Sequence, residues 1–131
     1  MEINMVGIVI VSHSENLAKS VVELTTMMAD GIPIAAAGGL EDGTFGTSFD
    51  RIQAAIDSVY SDDGVIILMD MGSAVMTTQM VIEMAEEGRK VVMADCPLVE
   101  GAVTASVDSK MNMKLEEIMD DLKAVGTTPK F

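Results

Sequence analysis

Four short runs of apolar, largely β-branched residues alternate with segments whose apolar residues recur at helical spacing. This alternation constrains the fold more than any other feature of the chain. Met5-Val-Gly-Ile-Val-Ile-Val11 and Gly64-Val-Ile-Ile-Leu-Met-Asp70 read as strands buried on both faces. Ile32-Pro-Ile-Ala-Ala-Ala37 is a weaker strand, and Pro33 near its start places it at an edge. Lys90-Val-Val-Met-Ala94 is the fourth. Between them, Leu17, Val21, Leu24 and Met28 follow Ser14, a candidate N-cap; Ile52, Ala55, Ile56 and Val59 form a second stripe; Val75/Met76, Met80 and Met84 form a third. Thr47 and Asp50 resemble a capping box ahead of the second helix. After the fourth strand come a small-residue helix through Ala102 and Ala105 and an amphipathic one over Leu115, Ile118, Met119 and Leu122.

Strand and helix in alternation predict an α/β fold with an open, mainly parallel four-stranded sheet flanked by helices. The order 2-1-3-4 is expected, with a fifth strand from the tail as a variant at a dimer interface. The 131 residues suit one domain, 1–131, with a core over about 5–125. Thirteen methionines are many for this length, and their place on the apolar stripes predicts that they fill the core.

Composition removes several function classes. Acidic residues outnumber basic ones 21 to 8, for a net charge of −13. Nucleic acid and anionic membrane, which require a basic footprint, are therefore poor partners. No apolar stretch approaches a membrane span and the N-terminus lacks a signal-peptide pattern, so a cytoplasmic address is expected. One His and one Cys leave no zinc or iron–sulfur ligand set, and neither metal nor cofactor is expected.

In an open α/β sheet the site lies beyond the carboxyl ends of the strands, where the strand order reverses. The polar and glycine residues gather there: Ser12-His13-Ser14 after strand one, Gly38 to Thr47 after strand two, Asp70-Met-Gly-Ser73 after strand three, and Cys96 to Glu100 after strand four. His13 and Asp70 are then expected to face each other. A neutral imidazole presents one nitrogen as nucleophile while a carboxylate holds the other and sets the tautomer. A phosphoryl group suits such a nitrogen, because helix N-termini and turn N–H groups stabilise the added charge. Gly38, Gly39, Gly72 and Ser73 are the candidates for that stabilisation. A receiver-type aspartyl phosphate is disfavoured, since strand one lacks the acidic pair that holds Mg²⁺. The glycine loop has no lysine and follows the second strand, so it is not a nucleotide cradle. An anion nest or a partner-contact loop fits it better. Cys96 has no nearby arginine to hold phosphate and reads as packing. Glu100 is either a helix first-turn acid or a contact to a basic partner.

Four strings in order carry a family resemblance: Ile8-Val-Ile-Val-Ser-His-Ser14, Ala36-Ala-Gly-Gly39 with Gly46-Thr47, Met69-Asp-Met-Gly-Ser-Ala74, and Pro97-Leu-Val-Glu-Gly-Ala102. Together they resemble the phosphoryl-donor subunits of phosphoenolpyruvate-dependent dihydroxyacetone kinase, whose domain is similar to the mannose-type IIA domain of the phosphotransferase system. The resemblance implies a phosphotransferase subunit in which His13 accepts a phosphoryl group from the phosphorylated histidine carrier protein. It then passes the group to ADP held in the nucleotide-binding subunit of the kinase, which phosphorylates dihydroxyacetone bound in a third subunit. It also implies a homodimer, a supporting role for Asp70, Gly72 and Ser73, and a single-domain form ending at Phe131. Ser14 and the Leu-Val-Glu-Gly turn favour this branch, with Ser14, Thr47 and Glu100 as partner contacts. The alternatives are a sugar-transport IIA domain of the mannose type and a phosphorylation-sensing regulatory domain.

Overall fold

The computed structural model describes residues 5–131. Strands β1 (Gly7–Ser12), β2 (Ile34–Gly38), β3 (Val65–Met69) and β4 (Val91–Met93) form one sheet in the order β2-β1-β3-β4. All three pairings are parallel. Helices α1 (Glu15–Thr25), α2 (Phe49–Val59), α3 (Gly72–Glu83), α4 (Leu98–Lys110) and α5 (Leu115–Val125) cover it. The expected order is thus found, while no fifth strand forms among the described residues.

The central strands alternate their side chains between two apolar clusters, as the pleat requires. Ile8, Ile10, Ile66 and Leu68 point to the side covered by α1, α4 and α5. Val9, Val11, Val65 and Ile67 point to the side covered by α2 and α3. Burial on both faces explains why β1 and β3 are unbroken apolar runs. The register sets Val11 beside Met69 and Ser12 beside Gly38. Consequently β1 and β3, which send the chain to opposite sides, end together. No described helix is long and apolar enough to cross a membrane.

Three local expectations need correction. The N-cap of α2 is Ser48, whose hydroxyl accepts from the Arg51 N–H, so Thr47–Asp50 is not the capping pair. In α1 the buried face is Ala18, Val21 and Thr25, while Leu17 and Leu24 are partly exposed. Most notably, the methionine stripe of α3 does not fill the core. Ala74, Thr78 and Val81 face inward, and Met76, Met80 and Met84 stand 70%, 55% and 73% exposed. Both faces of α3 carry apolar residues, so periodicity had no means of choosing between them. The small face is inside because Ala74 and Val81 meet a cluster already occupied by Val11, Ile52, Ile56 and Ile67.

Candidate phosphoryl-carrying site

His13 follows β1 directly and its ring lies between two groups. Nδ1 is 2.9 Å from Asp70 Oδ1, and Nε2 meets Ser73 Oγ. Asp70 is the residue after β3, and its own N–H donates to the Val11 carbonyl, which continues the β1–β3 ladder into the site. Parallel pairing of the two strands therefore brings the histidine and the aspartate together across 57 residues of sequence.

Asp70 is tightly held. Its Oδ2 accepts from the Ser12 hydroxyl at 2.9 Å and the His13 N–H at 3.0 Å, and its Oδ1 accepts from the Met71 N–H at 2.7 Å. Burial pushes its pKa up, but hydrogen bonds from the His13 backbone and ring, the Ser12 hydroxyl and the Met71 N–H outweigh it and hold the carboxyl below its usual range. An ionised Asp70 can only accept a hydrogen bond from Nδ1–H, so Nδ1 carries the hydrogen and Nε2 keeps its lone pair. The His13 side chain is 22% exposed, enough for Nε2 to be reached from solvent.

Nε2 points at the start of α3. Met71 is the N-cap and makes no side-chain capping bond, so the N–H groups of Gly72 and Ser73 are left among the helix's unpaired donors. These donors, the Ser73 hydroxyl and the positive end of the helix dipole are what an added phosphoryl group needs. A Cβ at Gly72 would meet nothing within 4 Å, so its contribution is the backbone, open to approach.

The remaining candidates fall in different places. Ser14 caps α1, accepting from the Leu17 N–H at 3.1 Å. Thr47 forms an isolated bridge to Gly39 and a 2.8 Å hydroxyl contact with Thr77, on the turn after Ser73. It thereby ties the β2–α2 loop to α3. Gly38 and Gly39 serve close packing. A Cβ at Gly38 would lie 2.4 Å from the Ser14 carbonyl, and Gly39 adopts φ +69 while its N–H donates to the Ser12 carbonyl. Glu100 is not brought to the site; it is a first-turn acid of α4, paired with Lys130 at 2.8 Å. Cys96 is half-buried, and burial followed by the charge of Asp95 pushes its thiol pKa up, as befits packing. It lines a groove of about 510 Å³ that opens beside Asp70 and Gly72.

Ser12 and Thr77 are the residues that motif reasoning passed over. Ser12 is fully buried yet polar at a strand end, and its Oγ both donates to Asp70 and accepts the Ser14 N–H at 3.0 Å. A hydroxyl closing an otherwise apolar buried strand was the available signal. Thr77 carried none.

The family model described as the PTS system fructose IIA component matches residues 7–119. The chain is 38% identical over 119 residues to the phosphoryl donor subunit of PEP-dependent dihydroxyacetone kinase 1 of Listeria innocua, covering 91% of this chain and 94% of that protein. It is 39% identical to the phosphotransferase subunit of the PTS-dependent dihydroxyacetone kinase of Lactococcus lactis, covering 89% and 93%. Against the corresponding Escherichia coli subunit the identity is 37%, with 89% of this chain matched to 26% of that longer protein. Among solved structures, a protein of unknown function superposes with a TM-score of 0.84 at 27% identity, covering 97% of this chain and 98% of that one. A phosphotransferase system EIIA component from Streptococcus agalactiae shares the fold, with a TM-score of 0.69 at 15% identity and coverage of 94% and 93%. The chain belongs to the IIA component family of the phosphotransferase system, in the branch of phosphoryl-donor subunits of phosphoenolpyruvate-dependent dihydroxyacetone kinase.

Proposed function

We propose that this chain is a phosphohistidine carrier. His13 Nε2 takes a phosphoryl group from the phosphorylated histidine carrier protein and delivers it to ADP held in the nucleotide-binding subunit of dihydroxyacetone kinase. The observation that carries the reading is the His13 ring held at Nδ1 by Asp70, with Nε2 directed at the uncapped start of α3.

In the first step the Nε2 lone pair attacks phosphorus. The new N–P bond forms as the N–P bond to the donor's histidine breaks, and the electron pair returns to the donor ring. Neutral His13 is required, since a protonated ring has no lone pair to offer. Asp70 keeps the proton on Nδ1 and balances the positive charge that grows on the ring, as an orienting carboxylate does in other histidine sites. Ser73 leaves Nε2 and donates to a phosphoryl oxygen, with the Gly72 and Ser73 N–H groups beside it. In the second step a terminal oxygen of ADP attacks phosphorus, the P–N bond breaks and the ring is neutral again. The chain supplies position and electrostatics, which is most of what phosphoryl transfer asks of a protein. A role as a homodimer and a cytoplasmic address accompany this reading.

The test is loading followed by a chase. With phosphoenolpyruvate, the first phosphotransferase enzyme and the histidine carrier, the intact mass is expected to rise by one phosphoryl group, about 80 Da, lost in acid as a phosphoramidate is. The label then passes to dihydroxyacetone when the ADP-loaded kinase subunits are added, and His13→Ala takes up none. Loading without discharge would move the chain to sugar transport or regulation. No loading from a competent donor would remove His13 from the chemistry.

A further inference from the structure

The loop between β2 and α2 fixes the backbone of Thr47 from three directions. Thr47 itself bridges to Gly39. The Gly46 N–H, one residue before it, donates to the His13 carbonyl at 2.9 Å. Ser48, one residue after it, caps α2 and donates to Glu41 at 2.8 Å. The segment is thus tied to the histidine on one side and to a helix start on the other. Its hydroxyl is held much less firmly. Among the described residues it meets only the Thr77 hydroxyl, at 2.8 Å.

The hydrogens of that pair follow from its neighbours. Thr77 donates to the Ser73 carbonyl at 3.4 Å, one turn back along α3. With the Thr77 hydrogen engaged there, Thr47 is the donor within the pair. Ser73 and Thr77, four residues apart, share one flank of α3, and Thr47 lies against that flank. His13 Nε2 is directed at the same place through Ser73. A phosphoryl group on Nε2 brings three acceptor oxygens and negative charge beside the Asp70 carboxylate. Among the described residues no lysine or arginine touches His13 or Asp70. The donors assigned so far, the Ser73 hydroxyl and the Gly72 and Ser73 N–H groups, all belong to α3. A hydrogen bond to a charged oxygen is roughly twice as strong as one between neutral groups, so the Thr47 hydrogen gains by changing acceptor.

We infer that Thr47 is a further catalytic residue, whose hydroxyl leaves Thr77 when His13 is phosphorylated and donates to a phosphoryl oxygen from the β2–α2 loop. No covalent bond is made or broken at Thr47. One hydrogen bond changes acceptor, and Thr77 keeps its own to the Ser73 carbonyl. The phosphoryl group is then held from two elements, α3 and the loop, in place of one. Because the loop is already fixed to the His13 backbone, the donor is in position before the group arrives. This rests on the carrier reading given above.

Thr47→Val and Thr77→Val remove the same resting contact, which separates a donor from a structural tie. Single-turnover loading is followed by intact mass with two donors: phosphoramidate, a small N–P compound, and the phosphorylated histidine carrier protein. Thr47→Val is expected to load about tenfold more slowly from both, the scale of one hydrogen bond to a charged group. Thr77→Val leaves the Thr47 hydroxyl in place and is expected to slow by only about twofold. Thr47→Ser keeps a hydroxyl and should recover most of the wild-type rate. The ³¹P resonance of the loaded protein should move in Thr47→Val and hold in Thr77→Val. Thr47→Ala is measured beside Thr47→Val and is expected to match it, so a folding defect peculiar to valine does not decide the outcome. Equal rates in the two valine variants overturn the inference, because the lost tie alone then explains both. So does a Thr47→Val slowed only with the carrier protein, which makes Thr47 a partner contact. A wild type that loads from neither donor overturns the carrier reading itself, and the Thr47 assignment with it.

Discussion

Asp70 and Asp108 are two enclosed carboxylates toward opposite ends of the central strands, one beyond β3 and the other on α4 near the start of β1, and their surroundings treat them in opposite ways. Asp70 stands beyond the carboxyl end of β3 and receives hydrogen bonds from Ser12, His13 and Met71. Asp108 lies near the end of α4, next to Ser109, whose hydroxyl donates to the Val6 carbonyl ahead of β1. It is 7% exposed and its Oδ2 has no partner. Burial, and after it the neighbouring carboxyl of Asp121 on α5, push its pKa up to about 7. Enclosure by itself therefore does not decide a carboxyl's charge; the donors brought to it do. The converging N–H and O–H groups go to the aspartate beside His13. The other, without them, keeps its proton up to about pH 7.

The largest effect expected from this contrast is at Asp70. Asp70→Ala should lower single-turnover transfer to and from His13 by about ten- to a thousandfold, because the ring loses both its tautomer and its orientation. Rapid-quench measurement with the histidine carrier checks this, and an unchanged rate would detach Asp70 from the mechanism.

Asp108 should behave in the reverse sense. Its folded pKa of about 7 lies above the ordinary 3.8, so between those values the folded chain holds a proton that the unfolded chain releases. Stability should accordingly fall as pH rises through that window and level off above about 7. Chemical denaturation from pH 5 to 8 reads this slope. In Asp108→Asn the slope should flatten, and Tm at pH 8 should rise by several degrees for each ~1–2 kcal/mol recovered. Phosphoryl loading should be untouched. A variant less stable than the wild type at pH 8 would show that the Asp108–Asp121 contact is not a net cost.

Ser12→Ala sharpens the comparison from the other side by removing one of the donors to Asp70. Because the hydroxyl also accepts from the Ser14 N–H, two hydrogen bonds are lost, which predicts about 2 kcal/mol of stability and a severalfold slower transfer, smaller than for Asp70→Ala. Equal losses in the two variants would mean that Ser12 acts on more than the carboxylate. Thr77→Val is expected to have the smallest effect. It removes the hydroxyl contact to Thr47 and loosens α3 against the β2–α2 loop, with about a twofold change in transfer.

Much of the site was legible because it lies at strand ends. Once β1 and β3 are recognised as doubly buried strands and set side by side, His13 and Asp70 have nowhere to go but toward each other. Gly72 and Ser73 follow because α3 must begin there. What stayed hidden depends on which face a side chain takes. Gly38 and Gly39 read as an anion nest, but the close approach of α1 to β2 turns them into packing positions. Thr47 read as a cap, and Ser48 one residue on has the capping geometry while Thr47 reaches Thr77. Glu100 remained open between two roles until the tail placed Lys130 against it.

The contrast is clearest between β1 and α3. In β1 every residue is buried whichever way the strand is rotated, so the pattern of apolar residues alone determined its place and, with it, the position of His13. Along α3 both faces are apolar, and the one turned inward was decided by how little room α2 and the sheet leave, which admits Ala74, Thr78 and Val81 and excludes the methionines. Local sequence determines the period of an element and the order of elements. Only the packed structure decides which of two similar faces is covered, because that choice depends on the volume contributed by residues far away in the chain.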